Sequence, residues 1–296
     1  MPLPKIYSRS VLAKLLGVSK GYLYSVSKKS DYFYRNFTLR KKTRGKRQIH
    51  APIRALKGIQ RWILNELLEN IPVNSSAKGF VTGSSIVDNA KLHVNKLYVL
   101  NIDLKDFFPS VKSPQVYRVF FDRLGYRPVV ASILTNLTTL NNSLPQGAPT
   151  SPYLSNLVCD EMDRRIEAYC GKNNLAYSRY ADDLTVSGNQ RLNFVFPVLS
   201  RIISEYGFKI NSRKIRYSHR GNRMMVTGLT VNDKVSIPRG QRKIYRAIFH
   251  EAKLSPEKYK ARYSQLAGYY AFLKMVSPGL PCLAEYKLTL EAIQSV

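Results

Sequence analysis

The sequence predicts an α+β fold: a sheet with helices on one face, followed by an all-helical end. Three observations carry the prediction. Apolar residues recur at strand spacing in segments that return as hairpins, helical periodicity separates those segments, and residues from about 240 onward show helical spacing alone. With 296 residues, 44% of them hydrophobic, the chain can bury a proper core as one large domain or two to three small ones.

Taken in order, Ser8 or Ser10 is placed to cap a helix through VLAKLLGVS, and GYLYSVSKK continues as a second short helix. Residues 34–53, YRNFTLRKKTRGKRQIHAPI, alternate apolar and basic positions around Thr43-Arg44-Gly45 and predict a β-hairpin with a very basic tip. Residues 54–70 put Ile59, Trp62, Ile63 and Leu67 on one helical face. LYVLNID, residues 97–103, is a buried strand ending in a carboxylate. Residues 152–170 form a long amphipathic helix containing Cys159 and Cys170, and LAYSRYADDLTVSG is strand, tight turn, strand. A helix near 192–206, strands near 208–217 and 224–237, and helices near 240–253, 257–275 and 279–293 complete the pattern.

The 47 Lys and Arg against 19 Asp and Glu give a net charge of +28, a field that attracts polyanions and makes nucleic acid the default partner. The excess sits at the ends: 16 basic and 3 acidic side chains in residues 1–70, 18 and 6 in residues 201–296, but 13 and 10 between them. No signal core or run of 18 apolar residues is present, so no membrane span and a cytoplasmic location are expected. Three cysteines without a CxxC argue against a disulfide framework or a zinc cage.

Against that basic background, Asp103 ends one buried strand and Asp182 and Asp183 sit at the turn of another. Pairing of the two strands would gather three carboxylates. Such a group raises its own pKa values unless a cation neutralises it, and hard oxygen ligands select Mg²⁺ or Mn²⁺. Two ions held there suit phosphoryl transfer. The plainer reading is turn chemistry, since Asp readily caps its own backbone in a hairpin.

NIDLKDFFPS at 101–110, LPQGAPTSPYLSN at 144–156 and YADD at 180–183, in this order and spacing, resemble the reverse-transcriptase palm. The resemblance implies a right-hand polymerase: fingers over 1–96 with part returning at about 110–150, an antiparallel palm with helices on one face over 97–237, and a helical thumb over 238–296. It makes Asp103, Asp182 and Asp183 the metal-binding catalytic residues for two Mg²⁺ ions, with Mn²⁺ as substitute. Phe108, five residues after Asp103, matches the bulky position that excludes a 2′-hydroxyl. Gln146 matches a contact to the template and nascent pair, Gly147 a close backbone approach, and Tyr180 a contact to the primer end. Arg47 matches an arginine that clamps the triphosphate, with Lys46, Arg40, Lys41 and Lys42 as helpers, and Lys214 a lysine that protonates departing pyrophosphate.

Asn89-Ala90-x-x-His93 before the first aspartate and Val226-Thr227-Gly228 after YADD resemble the two marks of retron reverse transcriptases. Asn89 and His93, one helical turn apart, would contact RNA or brace a loop; Val226, Thr227 and Gly228 are expected at the primer or structured RNA. The thumb cations Lys243, Arg246, Lys258, Lys260 and Arg262 are the expected RNA contacts. Among its aromatics (Tyr245, Tyr259, Tyr263, Tyr269, Tyr270, Phe272), Tyr269 and Phe272 are expected in the thumb's own core. The resemblance further implies a cognate structured noncoding RNA (msr-msd) copied from dNTPs, starting at an internal guanosine 2′-hydroxyl, to a branched RNA–DNA hybrid. It also implies a partner effector protein in defence against phage, and a host RNase H for template removal. Reverse transcriptases of the group II intron, diversity-generating or abortive-infection kinds, and a catalytically silent RNA-binding subunit, remain alternatives at this level.

Overall fold

The structure is a computed structural model describing residues 3–40 and 45–295. Ser8 caps α1 (Arg9–Leu15) by accepting from the Val11 N–H, and Ser19 caps α2 (Lys20–Lys28) in the same way. The predicted hairpin forms from β1 (Tyr34–Arg40) and β2 (Lys46–Pro52), paired from Tyr34↔Pro52 to Arg40↔Lys46. Lys41, Lys42, Thr43 and Arg44 lie outside the described residues. α3 (Arg54–Ile63) follows and ends in a π turn over Leu64–Leu68, so its apolar face continues to the buried Leu67 and Leu68. After α4 (Ile86–Lys91) comes the central strand β3 (Tyr98–Lys105), then the helices α5 (Phe107–Ser110), α6 (Ser113–Arg118) and α7 (Pro128–Thr138).

α8 (Ser151–Lys172) opens with Pro152 in its first turn, where a missing N–H costs nothing. The hairpin of β4 (Ala176–Tyr180) and β5 (Asp183–Gly188), α9 (Val195–Glu205), β6 (Lys209–Ile210) and β7 (Arg216–His219) complete the sheet. β5 pairs along one edge of β3 and carries β4 outside it; β7 and β6 share the other edge of β3 in tandem, and every pairing is antiparallel. The strand expected over 208–217 is thus two short strands parted by a 3₁₀ turn at Ser212–Lys214. The strand expected over 224–237 is a small hairpin of β8 (Met225–Val226) and β9 (Leu229–Thr230). Its two loop residues, Thr227 and Gly228, both have positive φ (+46° and +81°), the geometry that lets a two-residue hairpin follow the strand twist. α10 (Arg239–Leu254), α11 (Pro256–Tyr259), α12 (Tyr263–Val276) and α13 (Leu283–Ser295) form the helical end.

Strand alternation divides the sheet between two cores. Leu100, Ile102 and Leu104 of β3 and Leu184 and Val186 of β5 enter the larger core with α3, α7, α8 and α9. Val99 faces the other way, into a second core built with Val87 and Ala90 of α4, Val226, Leu229 and the C-terminal helices. Of the six aromatics singled out in the sequence, Tyr245 and Tyr259 are buried in that second core, with Phe249 and Tyr286, whereas Tyr269 and Phe272 are half-buried at its edge. This corrects the expected core pair, and the reason is that α10 turns Tyr245 inward against both of their rings. Among the described residues no helix is long and apolar enough to cross a membrane.

Candidate active site

The alternation that sends Ile102 and Leu104 into the core leaves Asn101 and Asp103 on the opposite face of β3. Register does the rest: Asn101 pairs with Thr185, and Asp103 with Asp183. On β4 Tyr180 lies across from the same Asp183. Tyr180, Asp183 and Asp103 therefore form a row over three strands, and Asp182 stands in the turn beside it. The Leu104 N–H donates to the Asp182 carbonyl at 2.9 Å, which ties that turn to the end of β3.

Asp103 is almost wholly buried, and both its carboxylate oxygens are engaged. Asn211 Nδ2 donates to Oδ1 at 3.0 Å and Lys214 Nζ to Oδ2 at 2.6 Å. Desolvation raises the Asp182 carboxyl, with the charge of Asp103 adding to it. Asp183 is pushed up to about 6, first by the desolvation of a carboxyl set against the sheet and then by the charges of Asp182 and Asp103. The hydrogen bond to Asp103 holds the Lys214 ammonium above its ordinary range. This is a concentration of negative charge facing the Lys214 ammonium, with the Arg47 charge also acting on Asp182.

A cleft of about 580 Å³ opens over the row. Arg47 and Lys46 of β2 line it, together with Gln146, Phe108, Asp103, Asp182 and Lys214. The β1–β2 hairpin is bound to the cleft floor, since the His50 N–H donates to the Gln146 carbonyl at 2.8 Å. Gly147 is what allows it: a Cβ there would lie 2.8 Å from the His50 carbonyl oxygen. The close approach expected at Gly147 is thus to β2.

The turn of YADD is held from behind. Ala181 adopts φ +57°, which costs an L residue about 1 kcal/mol and persists only when its surroundings impose it. Arg179, on the core-facing side of β4 and fully buried, donates from Nη1 to the Ala181 carbonyl at 3.2 Å and to Asn156 Oδ1 at 3.1 Å. Its charge is balanced by Asp163 of α8, also fully buried, at 2.6 Å, and Tyr177 donates to the same carboxylate at 2.7 Å.

The face of the sheet that carries the aspartates is also braced by His93. Nδ1 lies 2.7 Å from Ser187 Oγ and Nε2 2.8 Å from Ser178 Oγ, so the ring bridges β5 and β4. Burial, with a smaller push from Lys96, lowers its pKa to about 3, and the ring is neutral. Asn89, fully buried as well, donates to Thr227 Oγ1 at 3.4 Å, and Thr227 Oγ1 donates to the Ile86 carbonyl. Their burial does not fit RNA contact by Asn89 and His93; α4 and the turn that follows it pack the two inward, and of the two expectations bracing is the one the geometry fits. Val226 is fully buried too and offers nothing to a primer, whereas Gly228 is exposed. The two marker motifs, 138 positions apart at Asn89 and Thr227, touch each other.

Lys243, Arg246, Lys258, Lys260 and Arg262 all lie exposed on the helical end. Arg262 is partly committed, with Nε donating to Gln265 at 3.0 Å and its guanidinium over the Tyr259 ring.

Several residues of the site escaped the sequence reading. Asn211 had a signal, a polar residue closing a strand three positions before Lys214. Arg179 and Asp163 had one too, because alternation places Arg179 on the same side as Tyr177, where a charge needs a buried partner. Phe80, which lines the cleft beside Phe108, had none.

The family model for reverse transcriptase (RNA-dependent DNA polymerase) matches residues 39–260. The chain is similar to the retron Ec86 reverse transcriptase of Escherichia coli, 39% identical over 253 residues that cover 84% of this chain and 79% of the relative. It is 38% identical over 300 residues to the retron Mx65 reverse transcriptase of Myxococcus xanthus, covering 93% and 70%. With the retron Ec83 reverse transcriptase of Escherichia coli it shares 30% identity over 282 residues, 89% of each chain.

Proposed function

Because the chain belongs to the reverse transcriptase family and is an RNA-directed DNA polymerase of retron type, we propose that it binds its own structured noncoding RNA (msr-msd) and copies part of it from an internal guanosine 2′-hydroxyl into branched RNA–DNA. The observation that carries the catalytic part is the β3–β5 register, which sets Asp103 opposite Asp183 with Asp182 in the adjoining turn.

Reverse transcriptases use divalent metal ions, typically Mg²⁺. Among the described residues no three acidic, His or Cys side chains stand close enough together to hold an ion as they are. The donor set fits one all the same. Three carboxylates supply hard oxygen ligands, two of them have pKa values raised by desolvation and by the neighbouring carboxylates, and the Lys214 ammonium on Asp103 marks where a cation is accepted. Asp103, Asp182 and Asp183 are the residues that would hold Mg²⁺. Held there, two such ions would supply activation of the attacking hydroxyl and charge stabilisation at the leaving oxygen.

The protein's own residues do the remaining work. Arg47, with Lys46, receives the triphosphate, a fork of donors suiting phosphate oxygens. The Phe108 ring lies under the sugar and leaves no room for a 2′-hydroxyl. Gln146 meets the template and nascent pair, Tyr180 the primer end, and Lys214 protonates the departing pyrophosphate. The exposed cations of α10 to α12 hold the RNA backbone. Fingers over 1–96, palm over 97–237 and thumb over 238–296 are the divisions this reading uses. An effector protein, a role in defence against phage and removal of template by a host RNase H complete it.

The test is the double substitution Asp182→Ala with Asp183→Ala. Incubated with the cognate RNA and dNTPs, it is expected to retain RNA and make no DNA; undiminished dNTP incorporation would overturn the site assignment.

A further inference from the structure

Phe80 has no part in that scheme, yet its placement is unusual. It is a non-glycine residue at φ +62°, a region L side chains rarely adopt, and its ring is 41% exposed in the cleft. The segment is fastened to the back of the catalytic turn. The Lys78 N–H donates to the Arg179 carbonyl at 2.8 Å and Asn156 Nδ2 to the Gly79 carbonyl at 2.9 Å. A Cβ on Gly79 would lie 2.7 Å from the Ala181 nitrogen. A backbone pinned this tightly in a disfavoured conformation is aimed by its surroundings.

It is aimed at Phe108. The two ring centroids are 6.0 Å apart at 37°. Phe108 also meets Phe107 at 5.4 Å, and Phe107 stacks on the buried Phe208 at 5.8 Å. Four rings thus run from the core to the cleft, and Phe108 has one neighbour on each side of it in the row.

We propose that Phe80 is a positioning residue for sugar selection: its ring backs Phe108 and keeps it at the height where a ribose 2′-hydroxyl collides. The inference rests on the reading of Phe108 as the sugar gate. A steric gate discriminates only as far as the ring cannot swing aside. The buried Phe107 limits Phe108 on the core side, and Phe80 is the contact that limits it on the solvent side.

The test compares incorporation of dGTP and GTP opposite a template cytosine on a primed RNA by the full chain and by Phe80→Ala, Phe80→Tyr, Phe108→Ala and the double Phe80→Ala, Phe108→Ala variant. Phe80→Ala is expected to lower the dGTP preference roughly two- to twelve-fold, the range that an aromatic pair contact is worth. Phe80→Tyr, which keeps the ring, retains it, and the double variant is no less selective than Phe108→Ala alone. If alanine does not fold, Phe80→Leu removes the ring with most of the volume kept. Should Phe108→Ala relax selection while Phe80→Ala leaves it at the wild-type value, Phe80 has no such role and the gate reading stands. Should Phe108→Ala itself change nothing, the gate reading falls and the inference with it. Additive losses in the double variant would show Phe80 acting independently of Phe108, and that too overturns the proposal.

Discussion

Replacing His93 by Gln should flatten the pH dependence of stability on the acid side. The folded ring is neutral with a pKa of about 3, against 6.5 for an exposed imidazole. A folded pKa below the unfolded one means that between those values the unfolded chain binds the extra proton, so stability falls as pH falls. Between pH 7.5 and 5.5 the unfolded imidazole takes up nearly one proton and the folded ring none, and integration gives a loss of about 1.4 kcal/mol from this residue. The assay is urea unfolding of wild type and His93→Gln at a series of pH values. Subtracting one profile from the other removes every group they share, so the difference curve isolates His93. Wild type should lose that amount relative to the variant on going from pH 7.5 to 5.5. Parallel profiles would refute the claim that this ring sits neutral between Ser178 and Ser187.

Asp183 has the opposite sign. Its folded pKa is raised from 3.8 to about 6, so its charge opposes folding in full above that value, and Asp183→Asn should unfold at higher urea than wild type at pH 7.5, with the gap shrinking as pH falls from about 6 towards 4 and gone below that; an unchanged midpoint at pH 7.5 counts against a carboxyl desolvated beside Asp182 and Asp103. Arg179→Met leaves Asp163 buried and unpaired and should cost about 3–5 kcal/mol in chemical denaturation, much of it recovered when Asp163→Leu is added; a loss under 1 kcal/mol would mean that the pair is not buried as described. RNA affinity should fall steeply with salt, and Lys243→Gln with Arg246→Gln should reduce the slope of log affinity against log salt by about 1 per cation removed, alike for all RNA sequences; filter binding over a salt series reads this directly, and an unaltered slope would take α10 out of the RNA contact.

Much of the site was legible because its residues are marked by local pattern. Asp103 closes an apolar run in its strand, Asp182 stands in the tight turn between two more strands with Asp183 directly after it, and alternation alone sends Asp103 to the face opposite Ile102. The longer strands expected at 208–217 and 224–237 were misread because period-2 apolar residues persist through places where the chain turns. Asn211 and the positive φ values at Thr227 and Gly228 break them, and a window of hydropathy does not register a dihedral angle.

The sequence by itself determined the α+β class, the carboxylate set, the polymerase resemblance and the basic ends, since each follows from neighbouring residues or from composition. Tertiary structure alone decided what surrounds the carboxylates. Asn211 reaches Asp103 across 108 positions, and His93 reaches Ser178 and Ser187 across 85 and 94. Phe80 meets Phe108 only because Gly79 lets its segment lie against the catalytic turn. These contacts depend on which strands pair and in what register, which is settled by burying two cores at once, and so it was the tertiary structure that chose between the two roles expected of Asn89 and His93, turning both inward.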